Sequence, residues 1–471
     1  MKTNIKFALM FLVGIMGVTS CDVDNTIDPN RASLGSVTNN PSPNQINFLG
    51  IGVQSTMRDG IRDFYLNSGT VGREVILSAS TDNRYFNELL GTEAANFNGA
   101  NDPNGIFNTY YFAFSQGRHR AEVFTQSAET SKNLTTEQKA GIKGFARTVQ
   151  AYLALNLLNM QYNNGIREKF SDLSSPGDQL KPGPFGTYQS GLTLIKGYLD
   201  EGATLLASAG SNFAFPMTSG WAGFNTPSTF LQFNRAIAAR VALYQKDWDG
   251  VLSALNGSFI NDVLVGTPTQ PKGDLSAGPV FTFATTPGDL LNTLWAKPSD
   301  TGAPYVAYDE FVTDAEANDK RVLKVGLRDA ARQSGQAVLS KYDVRMYATN
   351  VSSISIIRNE ELILMRAEAK IQKNDLVGGI AALDKVRIDN GLQSMAIAKP
   401  TVTSQPQLLD ELLNQRRYSL FFEGHRWFDV RRYSKVSILP LQGAVNGNNY
   451  AVFPQFNRPD AEVQWDLANP Q

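Results

Sequence analysis

The 471-residue chain has one cysteine and two histidines. A single cysteine allows no internal disulfide and no cysteine-based zinc cage. His119 and His425 lie too far apart in sequence to suggest a multi-histidine metal site. No loop carries the Asp-x-Asp-x-Asp-Gly spacing of a calcium hand, so neither a metal nor a cofactor is expected. Charge of one sign is also missing, since 43 Lys+Arg against 44 Asp+Glu leave a net charge of −1. Such a chain has no broad basic field to displace counterions from a phosphate backbone, and nucleic acid is not an expected partner. With 42% hydrophobic and 18% charged residues it has ample material for a core and lacks the charge excess of a disordered polymer.

Long apolar runs are missing too. The first one, Phe7 to Val18, is about twelve residues long, short of the ~20 that span a bilayer. Preceded by Lys2 and Lys6 and followed by Val18-Thr19-Ser20-Cys21, it has the form of an export signal covering residues 1–20. A branched apolar residue, two small residues and cysteine resemble a bacterial lipobox. Cys21 is then the expected lipidation site, where two attachment points give stable membrane anchoring. Asp22-Val23-Asp24-Asn25 follows, similar to the acidic surface-export signal of some outer-membrane lipoproteins. Residues 21–44 are polar and rich in turn formers, and they read as a flexible tether reaching roughly 25–29 Å.

From residue 45 to 471 a single domain is expected, and its dominant signal is helical. Ile142, Phe145, Val149, Tyr152, Leu153, Asn156, Leu157 and Met160 recur at steps of three and four across Thr135–Asn163, with Lys139, Lys143, Arg147 and Gln150 opposite. Similar periods cover Thr187–Ser208, Pro227–Tyr244, Leu362–Gln372, Val377–Ile388 and Gln405–Phe422. An internal repeat appears at an offset of 128: Ala239, Lys246, Asp247, Trp248, Val251 and Leu255 align with Ala367, Asn374, Asp375, Leu376, Gly379 and Leu383. Helix, tight turn with an acid, second helix fits a tetratricopeptide unit. Short strands are expected at Val280–Phe283, Lys341–Tyr347 and Ile354–Ile357, the last two pairing. Between the repeats, about 256–350, the text is rich in Gly, Pro, Ser, Thr and aromatics, as in a functional insertion.

The sharpest motif runs from Asn414 to Arg432 and contains Arg416-Arg417 and Phe422-Glu423-Gly424-His425-Arg426-Trp427-Phe428-Asp429. If one helix continues through Gly424, Arg416, Glu423, Arg426 and Asp429 share a stripe and pair as ions. Glu423 and Asp429 as acid and base, with His425 as shuttle, would suit a glycosidase. An arginine for every carboxylate keeps pKa values low and favours a structural role. The motif resembles the C-terminal signature of the SusD/RagB family of nutrient-binding outer-membrane lipoproteins. Asn359 to Ala369, Leu383 to Arg387 and Gly391-Leu392 resemble its preceding repeat, and Arg147–Tyr162 its first. One departure is Gln415, where the family pattern has Glu.

The resemblance implies an all-α body of about four tetratricopeptide-like helix pairs with a loop-rich insertion and a few short β-strands. It further implies a non-enzymatic, surface-exposed protein that captures an oligosaccharide or polysaccharide and delivers it to a SusC-like TonB-dependent transporter; relatives of the RagB type bind oligopeptides. Glycan binders of the family stack exposed aromatic rings on sugar faces. Trp248 and Trp427 are assigned to packing and Trp465 to pinning the tail, which leaves Trp295 and Trp221, with Tyr305 in the following loop. The segment before the first repeat adds Asp82, Asn83, Arg84 and Tyr85, which offer donors, acceptors and a flat ring.

Overall fold

The computed structural model describes residues 34–78, 82–92, 100–169, 182–334, 338–445 and 448–470. Residues 1–20, Cys21 and the start of the tether lie outside these, as do Ser80 and Thr81. The chain opens with α1 (Leu34–Thr38), α2 (Pro43–Thr56), α3 (Ile61–Val71), β1 (Val75–Leu77) and α4 (Arg84–Asn87). Then come α5 (Thr109–Thr130), α6 (Thr136–Gln161), α7 (Tyr188–Ala207), α8 (Pro227–Gln245) and α9 (Trp248–Asn256). The insertion holds β2 (Val280–Phe281), β3 (Tyr305–Ala307), α10 (Glu310–Thr313), β4 (Val325–Ser334), β5 (Val338–Val344) and β6 (Ile354–Ser355). After it follow α11 (Asn359–Gln372), α12 (Leu376–Asp389), α13 (Met395–Ala398), α14 (Gln405–Ser419), α15 (Arg426–Arg432), β7 (Gly443–Val445), β8 (Asn448–Tyr450) and α16 (Asp460–Ala468).

The helices start where side chains can satisfy orphan N–H groups. Ser42, Thr135, Thr187, Thr226 and Ser404 each close a capping box with the residue three positions on. From α5 to α9 each helix packs on its chain neighbours, and α9 passes the stack to α11, which packs on α12 and α14. Sandwiched between α5 and α7, α6 is buried on both sides. Gln150, expected on its polar face, is therefore fully enclosed and donates to Glu122 at 2.8 Å. A second apolar cluster under α11, α12 and α14 is built from residues such as Ile363, Leu383, Leu408 and Leu412.

The helical repeat has a matching local geometry at both places. Lys246 and Asn374 adopt left-handed φ values of 58° and 62°, and Asp247 and Asp375 accept from the Gly250 and Gly378 amides at 2.9 Å. Three strands of the insertion join β1, from the start of the chain, in a four-stranded antiparallel sheet in the order β1-β3-β5-β4.

Three expectations need correction. Ile354–Ser355 pairs with Val280–Phe281 and not with the Lys341–Tyr347 region, which pairs with β3 and β4 instead. The tether does not run to residue 44. Val37, Thr38, Asn40 and Pro41 are fastened to the end of α5 and the turn after it by Ser127, Thr130, the Lys132 amide and Asn133. The motif stripe is not one helix either. Phe422 (φ 59°) and Gly424 (φ 76°) break the chain between α14 and α15.

Candidate functional site

The α2–α3 turn brings Arg58 against the insertion. Its guanidinium pairs with Asp289, donates to the Thr282 carbonyl and lies 5.6 Å from the Phe283 ring centroid. Arg58 thereby forms a seam across a surface groove between α2–α3 and residues 282–294. On one side is a cleft of ≈420 Å³ lined by Ile51, Gln54, Ser55, Thr218 and Trp221. On the other is a second lobe of ≈310 Å³, with Asp59, Arg62, Phe283, Leu290 and Leu291.

Polar anchors fix both walls. Gln54 donates to the Pro216 carbonyl at 2.9 Å and accepts from the Thr218 amide at 2.8 Å, which sets the position of the Trp221 segment. Asn292, fully buried, donates to the Ser352 carbonyl at 2.8 Å and accepts from the Leu294 amide at 3.0 Å. Leu290 and Leu291 remain 45% and 41% exposed beside it.

Past the second lobe, Arg62 donates to the Tyr305 hydroxyl at 3.1 Å and to Asp63 at 2.7 Å, and lies 6.0 Å from the Tyr85 ring centroid. Tyr305 in turn donates to the Thr293 carbonyl at 2.7 Å. Partial burial raises the Asp59 carboxyl above its usual range against the pull of Arg120 and Arg58. At Asp289 desolvation works in the same direction, but the Arg58 hydrogen bond and the Leu290 amide prevail and hold it below that range.

The structure gathers part of the expected set. Trp221 lines the first lobe, and Tyr305 and Tyr85 stand beyond the second, around Arg62. Trp295, half-buried, follows Leu294 at its margin. Two of the rings differ from the expected open platforms. Trp221 is 3% exposed, with Phe230 and Phe233 centroids at 5.1 and 5.0 Å, and Tyr305 is 4% exposed with its hydroxyl engaged. Tyr85 is half-buried and meets Phe107 edge-on at 5.3 Å. Asp82 and Arg84 hydrogen-bond one another at 2.9 and 2.7 Å, and Asn83 beside them is exposed. Sequence reasoning missed Arg58, Asp59, Arg62, Phe283, Leu290 and Leu291. The signal available was an apolar pair directly after the turn-forming Pro287-Gly288-Asp289.

The C-terminal motif lies apart from the groove lobes and is internal. Arg416 donates to Asp429 at 2.6 Å, and Arg432 holds both Asp429 and Glu368. Arg240 grips Glu361 through two bonds of 2.7 Å. Burial opposes the charge on Glu361, yet Arg240 and His425 bring its carboxyl down to about 2. Burial carries His425 down to about 4, which leaves it neutral at pH 7. Glu423 is paired with Arg358. Neither motif carboxylate is a free acid poised for proton transfer.

A helical stack carrying an inserted sheet, with a groove at their seam, defines a scaffold whose open surface belongs to the insertion. Residues 329–466 match the SusD family model. Solved structures with this fold include surface glycan-binding protein A from Bacteroides uniformis, 14% identical, covering 91% of this chain and 98% of that one with a TM-score of 0.65. Surface glycan-binding protein A from Bacteroides thetaiotaomicron, in complex with laminarihexaose, is 14% identical over 90% of this chain and 97% of that one, with a TM-score of 0.60. A SusD superfamily protein from Bacteroides vulgatus has the same identity and coverages and a TM-score of 0.62. No curated protein sequence matches the chain. Over residues 329–466 the chain is thus similar to the SusD family, and its overall fold is that of the solved SusD superfamily structures.

Proposed function

We propose that the protein is a surface-exposed outer-membrane lipoprotein, anchored through Cys21, that captures an oligosaccharide or polysaccharide and delivers it to a SusC-like TonB-dependent transporter. The two-lobed groove at the Arg58 seam carries this reading. It joins partly buried rings (Phe283, and Tyr85 and Trp295 at its margins) with charged groups (Arg58, Asp59, Arg62), the combination that pairs an apolar sugar face with its hydroxyls. Similar folds include a protein crystallised with laminarihexaose and a laminarin-binding SusD-like protein. In this reading the helix pairs are tetratricopeptide-like units that hold the insertion, and no reaction is catalysed.

Leu290, Leu291 and Ile51 favour a second reading. Exposed aliphatic side chains suit the apolar residues of an oligopeptide better than sugar rings, as in the RagB branch. Affinity electrophoresis and calorimetry against a panel of β-glucans, α-glucans, xylans, mannans and mixed oligopeptides separate the two. Retention by at least one glycan is expected. Binding of peptides alone would move the assignment to the second reading, and release of new reducing ends would overturn both.

A further inference from the structure

A separate cavity of ≈120 Å³ lies where the α3–β1 turn, α10 and the start of α15 meet. Three polar side chains reach it with bonding capacity unused. Arg426, alone among the four charges expected on one stripe (Arg416, Glu423, Arg426 and Asp429), makes no hydrogen bond or ion pair among the described residues. Glu74, 4% exposed, accepts from the Phe422 amide through one oxygen at 3.2 Å, while its Oε2 is buried without a partner. The Tyr308 hydroxyl is likewise buried and without a partner among the described residues. The other cations of the lining are already committed: Arg73 to the carbonyls of Thr70, Leu89, Leu90, Pro440 and Ala451, and Arg417 to Asp314 and the Glu310 carbonyl.

The free groups on the buried side of the cavity are donors. Burial pushes the Glu74 carboxyl up to about 8, against the pull of the Phe422 amide and Arg426, so at pH 7 it is mostly protonated. Burial brings Arg426 down to about 10, with Arg417 adding to the effect, and it stays cationic. A guanidinium fork, a carboxylic acid and a phenol together match a planar acceptor anion. With one uncommitted arginine, the set is poor for a tetrahedral dianion. Phe311, Phe421, Leu439 and Pro440 give the lining apolar surface, and the exposed side chains of Glu310 and Asp314, the latter held by Arg417, also border it. Because a cavity of roughly 150 Å³ holds benzene, this one admits an acid of about five heavy atoms.

We propose that this cavity binds a short-chain monocarboxylate, its carboxylate between Arg426, Tyr308 and Glu74 and its alkyl end against Phe311 and Phe421. The site is independent of the groove.

Titration calorimetry of the full chain at pH 7 with propionate as probe tests it. One saturable site is expected, with propionamide at least tenfold weaker, hexanoate excluded by size and phosphate weaker than propionate. Arg426→Gln abolishes the binding. Should that variant fail to fold, Tyr308→Phe removes one unpartnered hydroxyl, leaves the melting temperature intact or higher, and weakens propionate several-fold. Absence of saturable propionate binding, equal affinity for propionamide, tighter binding of phosphate, or undiminished binding in the folded variants would overturn the proposal. Hexanoate binding as tightly as propionate would replace it with a site for the end of a longer acid.

Discussion

At the scale of single residues, Gln415 shows how a local exception becomes consistent once its neighbours are known. It is fully buried, accepts from Arg321 at 2.7 Å and donates to Glu411 at 2.7 Å. An amide can do both, whereas an ionised carboxylate can only accept. Arg321 is already held by Asp319, and Glu411 by Arg387 and Lys399. Gln415→Glu, although it restores the family pattern, therefore places a second carboxylate against Glu411 and gains little from Arg321. A loss of about 2 kcal/mol at pH 7 is expected from urea unfolding, shrinking towards pH 5 as the new carboxyl takes up a proton and regains its donor. Equal or greater stability in the variant at pH 7 would contradict this. The departure itself was legible in the sequence. Its compensation was not, because Arg321 lies 94 residues away. Trp221 and Tyr305 teach the same lesson. A ring in a turn-rich stretch has a high burial value wherever it sits, and only the fold reveals that Phe230 and Phe233 cover one and that Arg62 and Thr293 engage the other.

At the scale of elements, the long helices were readable because an apolar period of 3.6 repeated over fifteen or more residues leaves few alternatives. The 128-residue offset extended that legibility to the turns, where the same left-handed residue and the same capping acid recur. A cation at φ 58° is strained in a way that glycine is not, and asparagine tolerates this region better than lysine. Lys246→Gly should thus stabilise the protein by about 0.5–1 kcal/mol, and Asn374→Gly by less. Asp247→Ala and Asp375→Ala each remove the bond to an orphan amide; the first should lose about 1 kcal/mol and the second should be destabilised in the same direction. Chemical unfolding of the four variants checks this ordering; a destabilised Lys246→Gly would show that the lysine side chain contributes more than its backbone strain removes. The strands were less legible, since two- and three-residue segments carry no period and the partner of β6 lies some seventy residues earlier, before β3, β4 and β5. The break after α14 was hidden for a related reason. Apolar residues continue through Phe421 and Phe422, yet the chain leaves the helix after Ser419 and turns at Phe422 and Gly424, where an added Cβ at Gly424 would come within 2.7 Å of the Phe64 ring.

At the scale of the whole molecule, the groove exists only because a turn near the start of the chain meets an insertion more than two hundred residues later, a juxtaposition that spacing and composition do not encode. Arg58 is the visible tie between them. Its side chain is 15% exposed and that of Asp289 28%, so the pair belongs to the partly solvated class worth at most about 1 kcal/mol of global stability. Locally its role is larger, because residues 282–289 contain little regular structure and depend on Arg58 for their placement beside Ile51 and Ser55. Arg58→Ala should accordingly leave the unfolding midpoint nearly unchanged while amide exchange in residues 282–291 accelerates and glycan affinity falls at least tenfold. The dissociation is what identifies the groove. A mutation that merely weakened the fold would lower stability and affinity together, and one on an uninvolved surface would change neither. Asp82→Ala serves as the comparison, because it removes an exposed self-contained pair with Arg84 and touches neither lobe. Undiminished affinity in Arg58→Ala, with the exchange of residues 282–291 accelerated, would place the ligand elsewhere on the insertion, and a loss in Asp82→Ala would direct it to the segment before the first long helix.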